Sequence, residues 1–208
     1  PSLPPFDESV PAYDAEHPEN LVPDQLYAQA FILINQDDGR VLMERNADVR
    51  MNPASVTKIM TLLIAVEKIN INESIRVPDA AADIPQDSSK VPVTPGEEMT
   101  VKDLLYGMML RSGNDAANAV AALVAGSTEN FVRLMNERAA ELGCTGTHFS
   151  NVHGYTADDH YTTARDLATI TRAAMQNSTV RNIVSAAQYT LGATNLRKER
   201  IIENTNLM

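Results

Sequence analysis

The stretch Pro53–Thr61, PASVTKIMT, places a serine and a lysine three positions apart at the head of an apolar run. Asn52 can cap, Pro53 suits a first helical turn, and Val56, Ile59, Met60, Leu63 and Val66 follow at helical spacing, which predicts a helix from this point. Leu62, Ile64 and Ala65 fill its other faces, and a helix apolar nearly all round is a buried one. Ser55 and Lys58 project from nearly the same face of it. A serine in the first turn also lies among unpaired backbone N–H groups at the positive end of the helix dipole, a setting that favours its alkoxide and an acyl oxyanion. Eleven serines and five lysines in 208 residues put about 0.26 Ser-x-x-Lys pairs in such a chain by chance, so the pair alone favours a capping serine and a solvated lysine. Position argues the other way, because a lysine carried into a core needs partners and a reason.

Working outward, the chain is 44% hydrophobic, enough for one large core or two modest ones. A net charge of -10 argues against nucleic acid as a partner. The single cysteine, Cys144, cannot form an internal disulfide and reads as a small core residue. His17, His148, His153 and His160 lack zinc spacing with carboxylates, so no metal site and no cofactor is expected. No apolar run is long enough to span a membrane, and no charged-then-apolar leader opens the sequence.

The first residues, 1–24, are rich in proline and acid without apolar period and read as an extended lead-in; 25–208 reads as the folded domain. The run AQAFILINQDDGRVLMERN predicts a β-hairpin turning at Asp38-Gly39, a pair that tolerates positive φ. After α-helical Pro53–Val66 comes a broken segment of Pro, Gly, Ser and Asp. Thr100 and Asp103 then resemble a capping box ahead of Val101, Leu104, Leu105, Met108 and Met109. RSGN, Arg111–Asn114, interrupts that helix, and two more follow, ending at Gly126 and Gly143. A long loop with NVHGY leads to two further helical patterns, and the last residues alternate like a strand and a turn. Gly113 is expected to let the backbone bend in RSGN, leaving the Ser112 hydroxyl and the Asn114 amide free to point one way. An ordinary capped helix-helix turn is the competing reading.

Taken in order, ASVTK (54–58), LLYGMMLRSGNDAANAVA (104–121) and NVHGYTADDHYTTARDLATITRAA (151–174) resemble the serine D-alanyl-D-alanine carboxypeptidases, the low-molecular-weight penicillin-binding proteins. The resemblance runs from about Ala28 to the end and includes TPGEEMTVKDLLYG (94–107). It implies an α/β (α+β) fold, the penicillin-binding-protein or β-lactamase-like transpeptidase fold, with a helical cluster and an antiparallel sheet. It implies Ser55 as the nucleophile attacking the bond between two terminal D-alanines of a peptidoglycan stem peptide, Lys58 as its base, and acylation by β-lactam antibiotics. Ser112 and Asn114 match the Ser-x-Asn motif, the serine relaying protons and the asparagine holding the lysine and the substrate amide. Ser88 and Ser89 match a loop bordering the cleft, with substrate contact their expected role. His153 is expected to be a structural hydrogen-bonding residue. To act as a base Lys58 must be neutral, so its pKa must fall from about 10.4.

One family feature is missing. None of Lys58, Lys68, Lys90, Lys102 and Lys198 precedes Thr-Gly or Ser-Gly, so the Lys-Thr-Gly strand that faces the nucleophile is absent. The expectation is a truncated or cleaved catalytic domain, carboxy-terminally incomplete over 25–208, or one completed by a second polypeptide. Family membership implies export to the cell envelope. A serine β-lactamase shares the same two motifs, but no Glu-x-x-Leu-Asn-like loop follows SGN. A penicillin-recognising sensor and a catalytically dead domain of the same fold are the remaining alternatives.

Overall fold

The computed structural model describes residues 26–206, and the lead-in expected over 1–24 lies outside them. The apolar run that opens at Pro53 forms the centre of the molecule. Helix α1, Lys58–Lys68, touches five others: α2 (Val101–Leu110), α3 (Asn114–Ala125), α4 (Thr128–Glu141), α5 (Ala164–Ala174) and α6 (Ser178–Val184). Met60, Leu62, Leu63, Ile64 and Ala65 are all buried in the resulting core. At roughly 1.5–3 kcal/mol for each large apolar side chain removed from water, this helix anchors the fold. Val56 is the exception among the residues assigned to its apolar stripe: it is 45% exposed. Residues Ala54–Thr57 form a 3₁₀ turn and not the first α-turn, which rotates Val56 out of the stripe.

Asn52 does not cap α1, which begins at Lys58 behind Thr57 with no side-chain cap bond, but the later caps written in the sequence are present. Thr100 and Asp103 make the reciprocal capping box of α2, and Gly126 closes α3 in the left-handed region at φ 79°.

The sheet is divided. Three antiparallel ribbons of two strands each, β1–β2 (Phe31–Ile34, Val41–Arg45), β3–β4 (Ser74–Arg76, Glu98–Thr100) and β5–β6 (Gln188–Leu191, Arg200–Glu203), replace the one sheet expected. Each packs on helices, and the β5–β6 ribbon is also tied to β4, where Asn195 accepts from Glu98 N–H at 2.7 Å and Arg200 pairs with Glu97 at 3.4 Å. Tyr189 of β5 stacks on Tyr106 of α2 at 3.8 Å and donates to the Asp103 carboxylate at 3.0 Å. The hairpin β1–β2 forms as predicted, but its turn is longer than a two-residue Asp-Gly turn. The Asn35 carbonyl accepts from Gly39 N–H, its side chain accepts from Asp37 and Asp38, and only Gly39 takes a positive φ, 76°. Leu33, Val41 and Leu42 of the hairpin are exposed, and an apolar groove of about 440 Å³ runs between β1 and α5. Among the described residues no helix is long and apolar enough to cross a membrane.

Backbone bonds between Met51 and Thr162, at 2.8 and 2.9 Å, set the segment before Ser55 beside the long loop that carries His153. Arg165 of α5 clamps the same segment through Asp48 and Glu44, each at 2.7 Å.

Candidate active site

Ser55 lies on the 3₁₀ turn, exposed, while Thr57 and Lys58 directly behind it are buried. The turn is held from both ends. Asn52 accepts from Ala54 N–H at 2.8 Å, and Ala54 is forced to φ 47°, a left-handed conformation for a residue with a side chain. Thr57 Oγ1 accepts from His160 Nε2 at 2.8 Å, a direction fixed by Ser150 N–H donating to the other ring nitrogen at 3.0 Å. Burial pushes the His160 pKa down to about 4, so this imidazole stays neutral.

Lys58 is 2% exposed and its Nζ has three acceptors: the His153 carbonyl at 2.7 Å, Ser55 Oγ at 3.3 Å and Ser112 Oγ at 3.4 Å. Three elements distant in sequence therefore meet at one amine. Burial lowers its pKa to about 8, against a smaller opposing pull from the Asp115 carboxylate. About a tenth of the lysines are then neutral at pH 7 and able to take a proton.

Ser112 and Asn114 come from the break between α2 and α3, as the sequence suggests, but the bend is made differently. Ser112 itself adopts φ 54°, whereas Gly113 has an ordinary φ of -65°. Glycine is required at 113 for space: a Cβ there would collide with Val91 Cγ2 and sit 2.8 Å from Asp115 Oδ1. Asn114 donates its side-chain amide to Ser88 Oγ at 3.1 Å and its backbone N–H to the Ser89 carbonyl at 2.8 Å. The predicted loop serines are thus brought to the Ser-x-Asn turn. The Asn114 side chain reaches Ser88, while Lys58 is held by the His153 carbonyl and not by the asparagine.

That carbonyl is the contact sequence reasoning missed at His153. The ring of His153 accepts from Tyr155 N–H at 3.1 Å, and burial holds its pKa near 4. The loop is pressed onto the Ser55 turn and α1: Thr61 Oγ1 donates to the Val152 carbonyl at 2.6 Å, and a Cβ on Gly154, φ 90°, would fall on the Ala54 carbonyl. The sequence signal was the glycine after His153, whose reason is this close backbone approach.

Among the described residues no group of His, Cys, Asp and Glu could hold a metal ion. Cys144 is buried, and burial pushes its thiol up to about 12.

A hydroxyl on an exposed turn, a buried lysine beside it and a second serine hydroxyl on the same amine are groups that can support nucleophilic attack by a serine. The family model described as D-alanyl-D-alanine carboxypeptidase matches residues 15–208. The chain belongs to the D-alanyl-D-alanine carboxypeptidase family. It is 38% identical over 184 residues to the Bacillus subtilis D-alanyl-D-alanine carboxypeptidase DacF, covering 86% of this chain and 46% of that one. It is 43% identical over 155 residues to the Escherichia coli D-alanyl-D-alanine carboxypeptidase DacC, covering 70% and 39%. The chain therefore spans less than half the length of each of these family members. Among solved structures, a mutant of the Streptomyces K15 DD-transpeptidase superposes with a TM-score of 0.79 at 32% identity, over 85% of this chain and 74% of that one. The Mycobacterium tuberculosis D-alanyl-D-alanine carboxypeptidase gives 0.79 at 34%, over 86% and 67%. The helical cluster and small antiparallel ribbons are thus part of the penicillin-binding-protein fold.

Proposed function

We propose that this protein is a serine D-alanyl-D-alanine carboxypeptidase of the cell envelope that acts on peptidoglycan stem peptides through an acyl-enzyme on Ser55. The observation that carries the reading is Lys58: a buried amine within 3.3 and 3.4 Å of two serine hydroxyls, with its pKa brought down to about 8. Neutral Lys58 takes the Ser55 proton as Oγ attacks the carbonyl of the penultimate D-alanine. The tetrahedral intermediate collapses as the proton passes from Lys58 through Ser112 to the departing amine, releasing D-alanine and leaving the Ser55 ester. Water then repeats the sequence in reverse roles. A β-lactam follows the same attack, but its ring amine stays tethered after the carbonyl–nitrogen bond breaks, so the ester persists. Asn114, Ser88 and Ser89 form the wall along which the peptide lies.

None of the five lysines among the 208 residues precedes Thr-Gly or Ser-Gly, and we assign these residues to the nucleophile half of the site. In the family the sequence resembles, a Lys-Thr-Gly strand supplies the opposite wall, the cation for the substrate carboxylate and the second oxyanion N–H; a site without that oxyanion donor loses about 10²–10³ in rate. Labelling with a fluorescent penicillin tests the reading. A stable adduct lost in Ser55→Ala supports it, an adduct that persists in Ser55→Ala overturns it, rapid loss of the adduct indicates a β-lactamase, and an unlabelled wild type indicates a catalytically dead or incomplete domain. D-alanine release from a stem pentapeptide by this chain alone tests the second wall, and full turnover removes the need for it.

A further inference from the structure

Asp115, the second residue of α3, takes no part in the steps above, yet it is 2% exposed. Its carboxylate accepts from Ala116 N–H at 2.9 Å, as a first-turn aspartate does for its own helix. It also accepts from Val91 N–H, 3.1 Å to each oxygen, and from Val93 N–H at 2.9 Å. Those two donors belong to an extended segment on another part of the chain, the direct continuation of Ser88 and Ser89. Asn114 binds the start of that segment and Asp115 the rest. Gly113 lies against both, since a Cβ there would press on Val91 and on Asp115 Oδ1. One carboxylate therefore joins the turn that presents Ser112 to the wall that carries Ser88 and Ser89.

The second observation concerns charge. Lys58 Nζ is 3.4 Å from Ser112 Oγ, three residues before Asp115 on the same turn, and the Asp115 carboxylate's negative charge favours the lysine's proton; the groups that touch the amine, the Ser55 and Ser112 hydroxyls and the His153 backbone, are neutral, and the His153 ring is held neutral with its pKa near 4. His160, behind Thr57, is neutral as well. Resting on the reading of Lys58 as the base, we propose that Asp115 is a positioning residue of the acylation site, fastening the 88–93 wall to the Ser112 turn and serving as the anion that opposes Lys58.

Asp115→Asn separates the two roles, because the amide keeps the size but loses the charge and one acceptor. Acylation by fluorescent penicillin is followed from pH 5.5 to 10. The midpoint of the rise moves down by about half a unit or more, with about threefold more neutral lysine below the midpoint. The plateau rate falls several-fold as the wall loosens, and Asp115→Glu lowers the plateau with the midpoint in place. An unmoved midpoint in Asp115→Asn overturns the proposal, since a purely structural aspartate changes the plateau alone. Should that variant not fold, hydrogen exchange in the wild type decides: the Val91 and Val93 amides are protected at neutral pH, and fast exchange of both overturns it. A wild type that takes no label marks a domain unable to acylate alone, a result separate from the Asp115 coupling. The Lys58 Cε titration by NMR, in wild type and Asp115→Asn, still reads the coupling independently.

Discussion

Replacing Lys58 by methionine is expected to abolish acylation while changing stability in opposite directions at neutral and alkaline pH. In the folded protein burial lowers the Lys58 pKa from 10.5 to about 8. Below pH 8 the folded and unfolded chains both carry the proton, and the folded state bears the whole cost of a buried cation, about 3 kcal/mol. Between pH 8 and 10.5 the unfolded chain still binds a proton that the folded chain has released, so wild-type stability rises with pH; above 10.5 the cost is gone. Methionine fills similar volume without this dependence, but it leaves the His153 carbonyl, now bonded at 2.7 Å, without its donor. That loss costs about 1–3 kcal/mol at every pH. Lys58→Met should therefore match or exceed wild-type stability at pH 7 and fall below it at pH 10, the difference shifting by about 2–3 kcal/mol. The chain has no tryptophan, so urea unfolding is read by far-UV circular dichroism. A stability difference that stays constant between the two pH values would refute the account of Lys58 as a cation strained by burial.

Acylation by a β-lactam should rise about tenfold from pH 7 to pH 9 and then level off, because the neutral fraction of a lysine with pKa about 8 goes from a tenth to nine-tenths; a flat profile measured by stopped labelling contradicts Lys58 as the base. Gly154→Ala sets a Cβ on the Ala54 carbonyl and forces a side chain to φ 90°, so thermal unfolding should shift down by several degrees and Ser55 labelling should slow. Thr57→Val leaves the buried His160 N–H without its acceptor, now at 2.8 Å. About 1–3 kcal/mol of stability should be lost, with Thr57→Ser restoring most of it in the same urea titration.

The helical half of this fold could be read because its signals are local. A capping box at Thr100 and Asp103, glycines at 126 and 143, and an apolar stripe all round α1 each act within a few residues. The pairing of Ser55 with Lys58 was legible for the same reason, since a lysine so placed in an apolar run is conspicuous. What the sequence hid depends on backbone atoms and on distance along the chain. Nothing in the letters says that the His153 carbonyl, 95 residues on, is the closest acceptor of Lys58. Nor do they say that His160 braces Thr57, or that Asp115 draws in the amides of Val91 and Val93. Gly113 is the instructive error. Its presence was read as backbone freedom, but the unusual φ belongs to Ser112 and the glycine serves to admit Val91. Val56 was misassigned because periodicity cannot distinguish an α-turn from a 3₁₀ turn over four residues.

The costs that these residues carry are gathered in one place. Of the three described non-glycine residues with positive φ, Ala54 precedes the proposed nucleophile and Ser112 is the proposed relay, and between them lies a lysine stripped of water. Each strained backbone costs on the order of 1–3 kcal/mol and persists only where the surroundings leave no alternative. Here the surroundings can be named: Asn52 and Gly154 hold Ala54, Val91 and Asp115 hold the Ser112 turn, and α1 is enclosed by five helices. A relaxed version of either turn would move a hydroxyl away from Lys58 Nζ, where 3.3 and 3.4 Å leave little excess over hydrogen-bond reach. The rigid helical core therefore offsets the strain that keeps the two serines on one amine. Ala54→Gly, which relieves the left-handed strain without touching a reacting group, should raise stability and lower the acylation rate together.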